Sequence, residues 1–250
     1  MSGHSKWATI KRKKGKLDAE RGQRFTKLIK EITIAARDGG GDVKGNPRLR
    51  TAIENAKAES MPAANIDRAV KKGTGELPGV NYEEAFYEGY GQGGVALLIQ
   101  VLTDNKNRTT GELRHLLTKH GGNLGEAGCV AWMFATKGLI TIERAAVAED
   151  KLFEVALEAG AEDVSTTPEL YEITTSVADF DPVQKAIEAA GIPCLSIELA
   201  RVPSTSVTVE EKDAVPLLKL LDLIEEHDDV QKVFSNFDIT DELMEKLRSE

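Results

Sequence analysis

Charge reverses sign along this 250-residue chain, and the reversal falls at a breakpoint. Residues 1–72 hold 18 Lys and Arg against 8 Asp and Glu, a net charge of +10; the remaining 178 residues hold 14 against 33, net −19. Residues 73–81 (GTGELPGVN) follow directly, with three glycines and one proline in nine positions, and read as a linker. The whole-chain pI of about 5.2 hides this division. Each part makes its own local field, screened over about 10 Å at 0.1 M salt. The basic part offers phosphate oxygens counterion-releasing contacts, and the acidic part limits sticking elsewhere.

The rest of the composition bounds the class. Hydrophobic residues make up 41% and charged residues 29% of the chain, values typical of a globular protein. A chain of this length is expected to form two or three domains. No stretch approaches the roughly 18 apolar residues of a membrane span. The basic N-terminus lacks the apolar segment of a secretory signal, and Asp18 and Glu20 weigh against a mitochondrial presequence. Cys129 and Cys194 are expected as small buried hydrophobes in a reducing cytoplasm.

Hydrophobic periodicity sets the organisation. Residues 1–20 are polar and basic and read as an arm. Phe25, Leu28, Ile29, Ile32 and Ala36 then recur at helical spacing. Asn46-Pro47 opens a second helix, with Asn as N-cap and Pro at the first position, and its stripe is Leu49, Ala52, Ile53 and Ala56. Met61-Pro62 separates it from a third helix ending near Lys72. Beyond the linker, residues 82–90 and 95–103 read as strands. Thr109-x-x-Glu112 reads as a capping box opening a helix to about residue 120. A glycine-rich junction at 121–128 follows. Residues 130–135 and 139–143 are expected to form a hairpin across Thr136-Lys137-Gly138. A helix around 152–159, a strand at 170–177, a helix from Asp181-Pro182 and a strand at 195–202 complete this portion. Residues 206–209 read as a short strand, 217–224 as the heart of a helix, 230–237 as a final strand, and Thr240 as the cap of a terminal helix.

The expected fold is therefore α+β and multidomain: an N-terminal three-helix domain, then two α/β sandwich-like domains, one inserted in the other. The domains are 1–76, an interrupted domain of 77–128 plus 203–250, and an inserted domain of 129–202. Neither flanking fragment has enough strands and helices alone to cover a sheet; joined, they are expected to repeat the plan of the insert.

Catalytic constellations are absent from the pattern. Gly89 to Gly94 matches G-x-G-x-x-G, but a strand (VALLIQVLT) follows where a dinucleotide site needs a helix, so a glycine-rich hairpin is expected. Gly40 to Gly45 has phosphate-loop spacing, yet Asn46-Pro47 stands where Lys-Ser/Thr belongs. His115 and His120 lie about 140° apart on a helix and share no ligand face. No C-x-x-C and no G-x-S-x-G occurs. The acidic pairs Glu83-Glu84 and Asp228-Asp229 are assigned to solvated faces. No catalytic residue, metal ligand or cofactor is expected.

The basic residues carry the functional signal. Lys6, Trp7, Lys11, Arg12, Lys13, Lys14 and Lys16 lie in the arm, Arg21, Arg24 and Lys27 on the first helix, and Arg48, Arg50, Arg68, Lys71 and Lys72 on the other two. Cations beside an aromatic suit phosphates plus a stacked base. Charges spread over an arm and three helices argue against a merely solubilising tail. Asn105, Lys106, Asn107 and Arg108 form a secondary candidate at a strand-to-helix turn, where a helix N-terminus accepts phosphate or is simply capped.

These residues resemble the YebC family. The carrying segments are GHSKWATIKRKK at 3–14, FTKLIKEI at 25–32, NPRLRTAIENAKAESMPAANIDRAVKKG at 46–73, YEGYGQGGVALLIQVLTDNKNRT at 87–109 and GGNLGEAGCVAWMF at 121–134. The resemblance spans essentially the whole chain and implies a cytoplasmic, three-domain, non-enzymatic factor of gene expression. Many members carry the label of DNA-binding transcriptional regulator; mitochondrial relatives are translational activators, and some bacterial members are linked to ribosomes stalled at proline-rich stretches.

The expected function is a non-enzymatic nucleic-acid-binding regulator with DNA or RNA as partner, a monomer without membrane attachment. No groove-reading helix and no dimer seam is legible, which favours structured RNA and the ribosome over a sequence-specific operator on physical grounds. The competing classes are an enzyme using an acidic interdomain cleft and an adaptor whose acidic domains hold a basic protein.

Overall fold

The computed structural model describes residues 19–240, 242 and 243, with side chains from residue 22 on. Three helices come first: α1 (Ala19–Gly39), α2 (Pro47–Ala58) and α3 (Ala63–Gly73). Their apolar stripes meet in one core of Ile32, Ala35, Ala36, Leu49, Ala52, Ile53, Ala56, Ile66 and Ala69. Asn46 sits at the joint. Its Oδ1 accepts from the Leu49 amide at 3.0 Å, the expected cap, and its Nδ2 donates to the Ala35 carbonyl at 2.7 Å and the Gly40 carbonyl at 2.8 Å. One buried side chain thus starts α2 and fixes the end of α1. The close of α3 is equally tight: a Cβ at Gly73 would lie 2.3 Å from the Thr33 carbonyl oxygen.

The first sheet has the order β3-β1-β2-β9 and is antiparallel throughout. It comprises β1 (Glu83–Tyr90), β2 (Ala96–Thr103), β3 (Asn123–Leu124) and, from far along the chain, β9 (Val230–Ser235). Strand β2 is buried on both faces, as its continuous apolar run requires. Leu97, Ile99 and Val101 pack under α4 (Lys106–Lys119) and α7 (Glu211–Glu225); Ala96 and Leu98 pack under Val130 and Phe134. The glycines at 91–94 form the turn between β1 and β2, with Gly93 and Gly94 at φ of 70° and 74°. Strand, turn and strand leave no helix N-terminus for a dinucleotide.

The second sheet has the order β5-β6-β4-β7, also antiparallel. It is built from β4 (Phe134–Glu143), β5 (Asp163–Thr166), β6 (Leu170–Thr175) and β7 (Ser196–Pro203), with α5 (Glu149–Glu158) and α6 (Phe180–Ala189) on one face. The connection β-α-β-β-α-β is the split βαβ plan. A short parallel pair, β8 (Val207–Thr208) and β10 (Phe237–Asp238), completes the described elements.

Three expectations need correction. The hairpin at 130–143 does not form; β4 runs through residues 136–138 as one strand. Gly138 does not turn the chain. It lets Phe180 close onto the sheet, since a Cβ there would lie 2.2 Å from the Phe180 ring and from Thr175 Oγ1. The strand lost is replaced by β5, a short polar segment in which only Val164 is buried. Helix α4 starts three residues before the expected capping box, capped by Asn105, whose Oδ1 accepts from the Arg108 amide at 3.1 Å. The first sheet shares the layers of the second but not its connection order, because it opens with a hairpin. Thr240 accepts from the Leu243 amide at 3.4 Å, and the helix expected after it lies largely outside the described residues.

Candidate nucleic-acid interface

The basic helices have two sides with different occupations. Lys27, Lys30 and Arg37 lie on one face of α1, at i, i+3 and i+10. All three reach the acidic part of the chain. Lys27 Nζ donates to the Glu225 carbonyl, at the last turn of α7, where a cation offsets the helix dipole. Arg37 donates to Asn81 Oδ1 at 2.9 Å and to the Tyr82 carbonyl. Lys30 is buried, and its Nζ lies 2.6 Å from Asp229 Oδ1 and 3.0 Å from the Asp228 carbonyl.

Asp229 is the centre of this contact. Its second oxygen accepts from Arg108 Nη2 at 2.7 Å, Thr109 Oγ1 at 2.7 Å and Thr103 Oγ1 at 3.2 Å. Burial alone would raise its pKa; the hydrogen bonds from Lys30, Arg108 and Thr109 outweigh that and hold the carboxyl well below the usual range. The expected solvated acid is therefore a buried one, ionised because cations and hydroxyls converge on it. Thr109, expected as a helix cap, serves here instead.

The secondary candidate is consumed by the same arrangement. Asn105 caps α4, Lys106 Nζ lies 2.5 Å from Glu83, and Arg108 pairs with Asp104 at 2.9 Å as well as with Asp229. Asn107 is exposed. The segment joins the helical bundle to the first sheet.

Glu112, His227 and Asp229 bring three metal-type ligand atoms within 4.8 Å of one another. Their atoms are already engaged in hydrogen bonds. His227 Nδ1 accepts from the Asp229 amide at 3.1 Å, and Nε2 lies 3.0 Å from Glu112. Lys30 and Arg108 on the same carboxylate would repel a cation.

Cations on α2 divide. Arg48 forks onto Glu31 at 2.7 and 3.3 Å and reaches Glu84 at 3.4 Å. The Glu31 hydrogen bond raises its pKa, against the effect of burial. Arg50 donates to the Val43 and Lys44 carbonyls at 3.3 and 3.0 Å. Arg24 pairs with Glu59 at 3.2 Å, an exposed contact.

The outer face of α3 is different. Arg68 and Lys71 lie opposite the buried Ile66 and Ala69, and Lys72 lies on the flank beside Gly79 of the linker. Lys71 pairs with Asp67 at 2.8 Å, at i,i+4. Arg68 and Lys72 are exposed and carry no ion pair among the described residues. Lys44 and Lys57, not singled out in the sequence, are exposed in the same bundle. Lys6, Trp7, Lys11, Arg12, Lys13, Lys14 and Lys16 lie outside the described residues, as does the Arg21 side chain.

Comparison with known proteins decides the family. The profile of the TACO1/YebC protein N-terminal domain matches residues 5–76, and that of the TACO1/YebC second and third domain matches residues 82–237. The chain belongs to the TACO1/YebC family. A relative from Geobacter sulfurreducens, named as a probable transcriptional regulatory protein, is 59% identical over 247 residues, covering 99% of this chain and 100% of its own. One of the same name from Persephonella marina is 56% identical over 249 residues, with the same coverage. The crystal structure of a conserved hypothetical protein from Aquifex aeolicus superposes with a TM-score of 0.81 at 48% identity, covering 90% of this chain and 93% of that one. The resemblance carried by the GHSKW, NPRLR and GGNLG segments is thus a family relationship across both the helical and the sheet-containing parts. Among the described residues, no helix is long and apolar enough to cross a membrane.

Proposed function

We propose that this TACO1/YebC member is a non-enzymatic regulator of gene expression that holds nucleic acid through its N-terminal helical domain. The observation that carries the reading is the unpaired Arg68 and Lys72 on α3, while the opposite cations are engaged by the acidic body. The arm residues Lys6, Trp7, Lys11, Arg12, Lys13, Lys14 and Lys16 add six cations and an aromatic to the same domain's sequence. Names of relatives such as the one from Geobacter sulfurreducens point to transcription.

The chemistry of α3 favours RNA on the ribosome over an operator. Helices α2 and α3 are joined by a short turn, as in DNA-reading helix pairs. Base readout there would use the first residues of α3. These are Ala63, Ala64, Asn65 and Asp67, two without donors and one acidic. Arg68 sits at mid-helix and Lys71 and Lys72 in the last turn, where cations suit phosphate, which carries no sequence information. A protein that holds backbone needs its target placed by other means, and a ribosome supplies that.

Gradient sedimentation in moderate salt tests the choice. The expected result is co-migration with ribosomal fractions and duplex DNA binding that is weak and indifferent to sequence. Protein remaining at the top of the gradient, with a defined promoter fragment outcompeting scrambled DNA by roughly a thousandfold, would assign it to transcription.

A further inference from the structure

The chain holds two tryptophans, and one of them, Trp132, is 72% exposed. Its surroundings are built. Glu88, a buried residue of β1 opposite Leu98, turns its carboxylate into the loop before Trp132 and accepts from the amides of Gly128 at 2.6 Å, Val130 at 2.7 Å and Ala131 at 2.7 Å. Gly125 packs so closely that a Cβ would lie 2.5 Å from Cys129 Sγ, and Gly128 has φ of +89°. The indole N–H donates to the Cys129 carbonyl at 3.1 Å. The ring's one polar group is therefore satisfied within the loop, and its faces are left to solvent.

A second exposed ring lies on the same sheet face. Phe86 is two residues from Glu88 on β1, roughly 7 Å along the strand, and is 41% exposed. Arg201, from β7 of the second sheet, stands over it at 5.6 Å from the ring centroid. Arg201 carries no carboxylate partner among the described residues. Phe86 and Arg201 are in contact where the two sheets join, and Trp132 follows the loop held by Glu88, two residues from Phe86 on β1. The surrounding body is strongly acidic, so a bare guanidinium here stands out.

We propose that Trp132, Phe86 and Arg201 form a platform for unpaired bases of a single-stranded RNA segment, distinct from the cations of α3. The inference rests on the nucleic-acid reading above and names the form of nucleic acid it takes. Every base has a π-face for a ring, and guanidinium planes stack on bases and reach phosphates. Glu126, the exposed acid of the same loop, opposes phosphate and leaves the ring to a neutral base. A paired duplex keeps its bases stacked inside and gains nothing here. Contacts at α3 and at Trp132 together would fit one RNA with a paired and an unpaired part.

Intrinsic fluorescence tests this in the full chain carrying Trp7→Phe, so that Trp132 is the sole emitter. The probes are an oligo(U) RNA of about 12 nucleotides, within the usual single-strand site size, and a fully paired duplex of the same length. The expected result is quenching by the single strand and little by the duplex. Trp132→Ala should weaken single-strand binding roughly 5- to 100-fold. Trp132→Phe, which keeps a ring, should restore most of it, and Arg201→Ala should weaken it as well. Thermal melting verifies that each variant folds. Unchanged emission, or unchanged affinity in Trp132→Ala, overturns the platform. If Arg68→Gln with Lys72→Gln then still abolishes binding, the reading of α3 stands without it. If the unaltered chain binds neither probe, both fall. Quenching by an oligo-arginine peptide but not by RNA would make the patch a protein-docking surface and overturn the proposal.

Discussion

Lys30 Nζ and Asp229 Oδ1 lie 2.6 Å apart, with side chains 7% and 3% exposed, and join the helical bundle to the first sheet. Removing Asp229 leaves Lys30 buried with only the Asp228 carbonyl as acceptor, whereas removing Lys30 leaves Asp229 its Arg108 and threonine donors. Asp229→Ala is expected to destabilise the protein by about 3–5 kcal/mol, measured by urea unfolding. Lys30→Met is expected to cost less, because Arg108, Thr109 and Thr103 still hold the carboxylate. A double variant, Lys30→Met with Asp229→Leu, should recover only part of the loss, because the buried Thr103 and Thr109 hydroxyls and Arg108 still lose their acceptor.

The same pair sets an acid limit. The folded pKa of Asp229 is depressed, so its contribution is fully present above the unfolded value of about 3.9 and is lost as pH falls from there toward the folded value. Unfolding measured between neutral pH and pH about 3 should show this loss, and Asp229→Asn should flatten it. A parallel decline in both proteins would assign the acid sensitivity to other carboxylates.

Glu88→Gln replaces an acceptor of three amides by a group with one acceptor oxygen. Burial raises the Glu88 pKa, but the Gly128, Val130 and Ala131 amides lower it further, so the carboxylate is the form the loop is built around. A loss of about 1–3 kcal/mol is expected. Faster hydrogen exchange at those three amides would place the effect in the loop.

Gly138→Ala should destabilise by about 1–3 kcal/mol through overpacking against Phe180 and Thr175. Adding Phe180→Leu should relieve part of it. An unaffected melting temperature in the single variant would mean that α6 shifts freely over the sheet.

Arg68→Gln with Lys72→Gln is expected to reduce the slope of log affinity against log salt by about 1.4 for a single strand and about 1.8 for duplex DNA, two contacts' worth. Arg48→Gln, whose cation is already held by Glu31 and Glu84, should leave the slope unchanged. Equal effects from both substitutions would mean that the Arg48 pairs open on binding.

The proposed division into 77–128 plus 203–250 around an insert has a natural cut. Thr136 and Arg201 are ladder partners on β4 and β7, so replacing 137–200 by Asn-Gly closes the strands as a two-residue hairpin. This cut keeps Val130 and Phe134, which cover Ala96 and Leu98 on the first sheet. Cooperative urea unfolding of the shortened chain is the expected outcome, and a non-cooperative melt would count against the division.

What the sequence disclosed follows the range of the forces involved. The stripes of α1 to α3 and the Asn46-Pro47 start are local and legible, and so is the buried run of β2. Gly138 was misread because a glycine at a turn and a glycine under a distant ring look alike until Phe180 is placed. Strand β5 has a single buried residue and gave no period to detect. The largest omission is Asp229, assigned to a solvated face beside Asp228. Its partners Lys30, Thr103, Arg108 and Thr109 come from three segments at separations of up to 199 residues, which no local pattern encodes. The basic residues were found by type, but which of them remain open depended on where the acidic body docks. Trp132 lay within a segment that carried the family resemblance, with no sign that its ring stands clear of the core.

The separation of Lys30 and Asp229 also has a temporal side. At 5–20 residues per second, a translating ribosome needs roughly 10–40 s to add the 199 residues between them. During that interval the newborn helices carry Lys27 and Lys30 without the Glu225 carbonyl and the Asp229 carboxylate that will later hold them. Each copy thus passes through a nascent form more cationic than the finished protein, and it does so while still tethered to the RNA-rich machine that makes it.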